Sequence, residues 1–84
     1  MSKNSLTLGY FLQYSLDSRV VIELKDETAV EGILSNCDSK TLNIELIDAV
    51  LYRRRTQSPP LRSPSIFVKG RNIRFIHFED YPVF

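Results

Sequence analysis

Two apolar runs separated by four residues constrain this chain more than anything else in it. Ile66-Phe67-Val68 leads into Lys69-Gly70-Arg71-Asn72, and Ile73 to Phe78 leads out. The runs read as strands and the segment between them as a tight turn. Gly and Asn tolerate the left-handed backbone that such turns use. The turn also fixes Lys69 and Arg71 on a short support instead of a floppy tail. Beyond it, alternation puts Ile73, Phe75 and His77 on one face and Arg74, Ile76 and Phe78 on the other. Both faces are bulky and apolar, which a strand buried on one side does not need. The second strand is therefore expected to be central in a sheet or covered by something outside the chain.

The rest of the chain supplies the other strands. Arg19 to Leu24 is rich in β-branched residues and reads as a strand, followed by a polar turn at Lys25-Asp26-Glu27. Thr28 to Asn36 is a second strand, with Gly32 at its middle as a bend or bulge. Cys37 to Thr41 is a polar loop. Leu42 to Tyr52 is a long third strand, with an interruption expected at Asp48 or Ala49. Before all of these, Asn4 to Leu16 reads as a short helix: Leu8, Phe11 and Leu12 repeat at i, i+3, i+4, with Asn4 or Ser5 as cap. Tyr10 and Tyr14 make a second stripe, expected to pack on the sheet. Asp17-Ser18 ends the helix. From Arg53 to Ser65 the character changes. Arginines 53, 54, 55 and 62, two Ser-Pro steps and Pro59-Pro60 read as a basic, mobile loop that cannot extend a central strand. Its serines precede prolines, a setting that suits phosphorylation. The terminal Tyr81 and Phe84 suggest docking on a neighbour. The sum is one domain over residues 1–84: all-β with an N-terminal helix, five strands, closing as a strongly bent open barrel.

Composition excludes more than it selects. With 43% hydrophobic residues the chain is not disordered, yet at 84 residues it is small enough that association is a natural supplement to its core. No apolar run reaches the length of a membrane span, and no signal peptide is apparent. One cysteine (Cys37) and one histidine leave no material for a disulfide or a metal site, and no cofactor is expected. The acids are scattered, adjacent ones on a strand point to opposite faces, and no phosphate-binding glycine loop is present. His77 beside Phe75 is expected to be a packed, satisfied histidine. The chain is not expected to be an enzyme. A net charge of +1 means that any nucleic-acid site must rest on local cations.

The run from Phe67 to His77, with its aliphatic residue, basic residue, Gly and then Asn-Ile-Arg-aromatic, resembles the second signature of the Sm and Sm-like (LSm) proteins. Val20 to Asp38, followed by Asn43, resembles the first. With the preceding helix these motifs span nearly the whole chain, the first over residues 19–52 and the second over 66–78. The details around Gly70 to His77, Leu24 to Thr28 and Asn4 to Leu6 are most similar to the Sm-like subunit of the particle that processes histone pre-mRNA. The D-class spliceosomal Sm proteins stand close behind. The resemblance implies a ring subunit of a small nuclear ribonucleoprotein, with other Sm-fold chains and RNA as partners, in nucleus and cytoplasm. It implies that Asn43 hydrogen-bonds a base edge, that Lys69 lies over a base, and that Gly70 allows close approach. Lys40 and Arg71 are candidates for phosphate contact. One feature departs from the family: Asp38 to Asn43 is five steps where four are usual, and Ser39, Lys40 and Thr41 between them are not aromatic. In that spacing the chain is similar to the Gemin subunits of the SMN complex, which implies an alternative role in ribonucleoprotein assembly. A barrel-type adaptor without RNA is the third reading.

An open barrel leaves two strand edges with unpaired N–H and C=O groups. Strand five carries no proline and one cation, and strand four is equally apolar. Ile66, Phe67 and Val68 on one edge, and Ile73, Phe75, Ile76 and His77 on the other, are therefore expected to meet neighbouring subunits by strand addition.

Overall fold

The alternation and bends of the sequence become one antiparallel sheet in a computed structural model, which describes residues 12–53 and 57–78. The strands are β1 (Arg19–Leu24), β2 (Thr28–Cys37), β3 (Ile44–Arg53), β4 (Leu61–Val68) and β5 (Ile73–Phe78). Their order across the sheet is β4-β3-β2-β1-β5. Strands β4 and β5, neighbours in sequence, thus form the two opposite edges. The turn between them, a single 3-10 turn at Gly70–Asn72, crosses the opening of the bent sheet and closes no hairpin. β5 is not central: Ile73, Ile76 and Phe78 pack against the chain's own core, while Phe75 and His77 are exposed.

The bend has identifiable causes. The register of β2 against β3 shifts between Glu31 and Ile33, leaving Gly32, which pairs with Val20 of β1, without a partner on β3. A Cβ on Gly32 would stand 3.0 Å from the Ile47 carbonyl oxygen, so the two strands approach closely enough there that a side chain would crowd the neighbouring backbone. Across from it, Asp48 has φ 49° and drops out of the β3–β4 register. Between the pairs made by Glu31 and Ile33, β3 carries one residue more than β2, and this reverses which β3 side chains point inward, hence Leu46 and Ala49 are both buried while Ile47 and Asp48 are exposed. The interruption expected near Asp48 or Ala49 lies at Asp48.

The concave face encloses Val20, Ile22, Val30, Leu34, Ile44, Leu46 and Val68, all 4% exposed or less. Truncating one of the larger of these to Ala removes about 2–5 kcal/mol. Leu12 closes the open end of this core at 0% exposure, with Leu16 packed beside it. Residues 12–14 are helical and 15–17 form a turn. The earlier part of the expected helix, with Leu8, Tyr10 and Phe11, lies outside the described residues, as do Arg54, Arg55, Tyr81 and Phe84. Tyr14 is 92% exposed, so the expected packing of that aromatic on the sheet does not occur. Asp17 ends the helical turn in a left-handed conformation (φ 70°) and donates its N–H to the Leu34 carbonyl at 2.7 Å.

The β1–β2 turn falls where the sequence places it, while the starts of β3 and β4 differ from the expectation. β3 starts at Ile44, two residues later than expected, because Leu42 has φ 61° and cannot join a ladder. The β1–β2 turn takes its left-handed residue at Glu27 (φ 69°), and Asp26 Oδ1 accepts the Thr28 N–H at 3.1 Å. Most consequentially, β4 begins at Leu61, so half of the supposed basic loop is strand. Pro64 is tolerated because β4 is an edge, where an absent N–H costs no ladder bond on the open side. Pairing of Ala49 with Ser63 and Leu51 with Leu61 carries the strand past it.

Candidate functional site

The loop of residues 38–43 is built on one carboxylate. Asp38 Oδ1 accepts the backbone N–H groups of Lys40 (2.8 Å) and Thr41 (3.4 Å). These donors favour the charged carboxylate, Lys40 first, and hold the Asp38 pKa below its ordinary 3.8. The Asp38 carbonyl accepts the Leu42 N–H at 2.7 Å, and the Asp38 N–H donates to the Asn43 carbonyl at 2.9 Å. Leu42 is left-handed (φ 61°) and its side chain packs on the core. Asn43 follows it, facing the 3-10 turn.

There, Asn43 Oδ1 accepts the Gly70 N–H at 2.8 Å. On the other side the Lys25 N–H donates to the Asn72 carbonyl at 2.9 Å. The turn is pinned from both flanks, and with it Lys69 and Arg71. Glycine is required at position 70, but not for the reason the sequence suggested, since no glycine among the described residues has positive φ. A Cβ there would stand 2.1 Å from the Thr41 carbonyl oxygen and 2.9 Å from the Leu42 carbonyl. The requirement is close approach of two backbones, a tertiary matter.

The five residues proposed for nucleic-acid contact therefore come together at one end of the barrel. Lys40, Lys69 and Arg71 are exposed, and Asn43 and Gly70 are half-buried between them. The Asn43 side-chain oxygen Oδ1 accepts from Gly70, which leaves its NH2 donors for an outside acceptor. Lys25 is a site neighbour that sequence reasoning missed. It sits in a polar hairpin turn with no distinguishing signal, and only the pairing of β1 with β5 brings its backbone to Asn72. Beside Asn43, a hollow of about 500 Å³ is lined by Asn36, Cys37, Asp38, Glu45 and Phe67. Burial raises the Cys37 thiol pKa, so the thiol stays protonated and unreactive.

The edge residues separate into two groups. Val68, at 4% exposure, puts its side chain in the core, so strand addition at this position is left to its backbone. Ile66, Ile73 and Ile76 are half-buried against the core. Ile73 does so because β5 bulges: Phe75 pairs with Glu23 and Ile73 with Leu24, and Arg74 is left over. This extra residue moves Ile73 off the face it would share with Phe75 under strict alternation. Phe67 and Phe75 are 62% and 53% exposed, large apolar groups on opposite edges. Arg74 lies over the Phe75 ring at 5.5 Å from its centroid. His77 is satisfied, as expected, by Glu23 Oε2 at 2.6 Å, but it is exposed and not packed.

Comparison with known proteins gives these features a context. The family model described as the LSM domain matches residues 10–78. The LSM complex subunit lsm2 of Schizosaccharomyces pombe is 30% identical over 74 residues, covering 83% of this chain and 72% of the relative. Among solved structures, the SmAP1 heptamer of P. aerophilum aligns with TM-score 0.74 at 30% identity, covering 86% of this chain and 92% of that one. A Pyrococcus abyssii Sm protein in complex with a uridine heptamer aligns with TM-score 0.69 at 28% identity, over 82% and 93% of the two chains.

Proposed function

The chain belongs to the LSM domain family, and from that membership we propose that it is a non-catalytic, Sm-like subunit of a small nuclear ribonucleoprotein acting in pre-mRNA processing. It joins other Sm-fold proteins through its two sheet edges and contributes an RNA contact, a small nuclear RNA being the ligand, in nucleus and cytoplasm. The observation that carries this reading is the hydrogen bond from the Gly70 N–H to Asn43 Oδ1. It holds the two loops together in spite of the extra residue after Asp38, and leaves Asn43 with donors for a base edge. Cations on both loops supply the attraction for phosphate, and a cation over a base face adds to it. With no aromatic residue between Asp38 and Asn43, Lys40 acts on phosphate instead of stacking.

The edges support the same reading. β4 and β5 are different surfaces, so their pairing between subunits is head-to-tail and closes on itself as a ring. The relatives from P. aerophilum and P. abyssii are a heptamer and a uridine complex respectively, in line with a ring that holds RNA. The test is purification of the chain from its source cells, with native mass measurement and sequencing of bound RNA. The expected result is an assembly with several other Sm-fold chains and one class of small RNA. A chain that stays monomeric with every Sm-fold partner, yet still engages its cellular target, would overturn it.

A further inference from the structure

Two Ser-Pro steps, Ser58-Pro59 and Ser63-Pro64, stand in this chain, and the fold treats them differently. Residues 57–60 are exposed and carry no regular secondary structure. Ser58 is thus presented on backbone that belongs to no ladder. Pro59 and Pro60 fix their own φ near about −65° and offer no N–H, so the segment after Ser58 has little conformational freedom to lose on entering an enzyme cleft. Ser63 lies inside β4, paired with Ala49. Its Oγ donates to the Ser65 carbonyl at 2.8 Å and accepts the Ser65 N–H at 3.3 Å. That hydroxyl is thus tied to its own strand, and its backbone is held in the β3–β4 ladder, which an enzyme cleft would have to displace to seat the segment.

We propose that Ser58 is a phosphoacceptor for a proline-directed protein kinase using ATP, and that Ser63 is shielded while β4 stays in the sheet. In the transfer, Ser58 Oγ attacks the γ-phosphorus of ATP. The new P–O bond forms as the bond to the bridging oxygen breaks, ADP leaves with that electron pair, and the hydroxyl proton passes to the kinase's base. The phosphate brings about two negative charges and three strong acceptor oxygens, enough to take the chain's formal charge of +1 to about −1. Among the described residues, the cations that flank it in the chain are Arg53 at the end of β3 and Arg62 in β4, both exposed, on either side of the point where the ladder stops at Leu51 and Leu61. Phosphate–guanidinium pairing there neutralises cations otherwise available to an RNA backbone. That last consequence rests on the proposed RNA contact.

The folded chain and a peptide of residues 55–66 are each treated with a proline-directed kinase and ATP, and sites are located by fragmentation mass spectrometry. The folded chain should take one phosphate, on Ser58, at least about tenfold faster than on Ser63, whereas the peptide should accept phosphate on both serines. S58A and P59A should abolish modification of the folded chain, and S63A should leave it intact. Modification of Ser63 as fast as Ser58 in the folded chain overturns the proposal. So does an unmodified folded chain beside a modified peptide, or P59A reacting at the wild-type rate. The phosphorylated and untreated proteins, in their assembled form, are then titrated with oligouridine. Phosphate should weaken binding and lower its salt dependence, and equal affinities would overturn that consequence. Failure of the untreated assembly to bind would instead overturn the proposed RNA contact, while the mass measurement still decides for or against Ser58.

Discussion

Gly70 and Gly32 share a residue type and a cause, close approach of backbone, but differ in degree. The Cβ of Gly70→Ala would fall 2.1 Å from a backbone oxygen, whereas that of Gly32→Ala would fall 3.0 Å from one. Overpacking of this kind costs about 1–3 kcal/mol, and position 70 should sit at or above the top of that range with position 32 near the bottom. Urea unfolding of both variants checks the order. In the assembled protein, replacing Lys69 and Arg71 together by Ala should weaken RNA binding and lower the salt slope by about 1 for each phosphate no longer neutralised. Replacing Arg53 and Arg62 should do less, because neither lies on the pinned turn. Unchanged affinity in the Lys69 and Arg71 variant would move the chain to the assembly-factor class. Asp38 predicts a pH effect. Its folded pKa is depressed below 3.8, so its contribution to loop order is fully present above that value and is lost as pH falls through the depressed one. Amide exchange at Lys40 and Thr41, compared with D38N across the acid range, should show wild-type protection failing where the variant has none to lose.

Among the elements, β5 decides the most. It pairs with β1 along one side, and the register leaves Arg74 as the bulged residue. A proline at 74 should therefore spare the chain's own ladder better than a proline at 76, whose residue is paired with Ile22. R74P should keep most of its stability by thermal unfolding yet lose the neighbour that adds to β5, while I76P should lose both. Retention of that neighbour by R74P would mean that β5 is not an assembly edge. β4 shows how an edge reshapes a sequence reading: Pro64 argues against a central strand, but on an outer strand it is compatible with the ladder and discourages unwanted pairing. The loop between β3 and β4 is shorter than the arginines and prolines suggest, for this reason alone.

At the scale of the whole molecule, β4 and β5 are two unlike edges on opposite sides of one sheet, so the proposed assembly through them is directional. R74P should release the neighbour at β5 and keep the one at β4. Phe67→Lys, which puts a charge on an exposed apolar site of the other edge, should do the reverse. Affinity purification of each variant from cells separates the two neighbours, and loss of the same partner from both variants would refute directional pairing. What the sequence determined by itself is local. The strand positions of β1, β2 and β5 follow from runs of β-branched and aromatic residues, the bend at Gly32 and Asp48 from a glycine and a break in alternation, and the candidate contacts from two recognisable motifs. What only the tertiary structure decided depends on residues distant in the chain. Sheet order made β4 and β5 edges, so Pro64 could stand in a strand and Val68 turn into the core. The bulge at Arg74 moved Ile73 inward. The meeting of Asn43 with Gly70, 27 positions apart, showed that glycine is there for proximity and not for a left-handed turn. Backbone conformation can be read from a residue's own chemistry, but which backbone it will touch is fixed by how the sheet bends and where its edges fall.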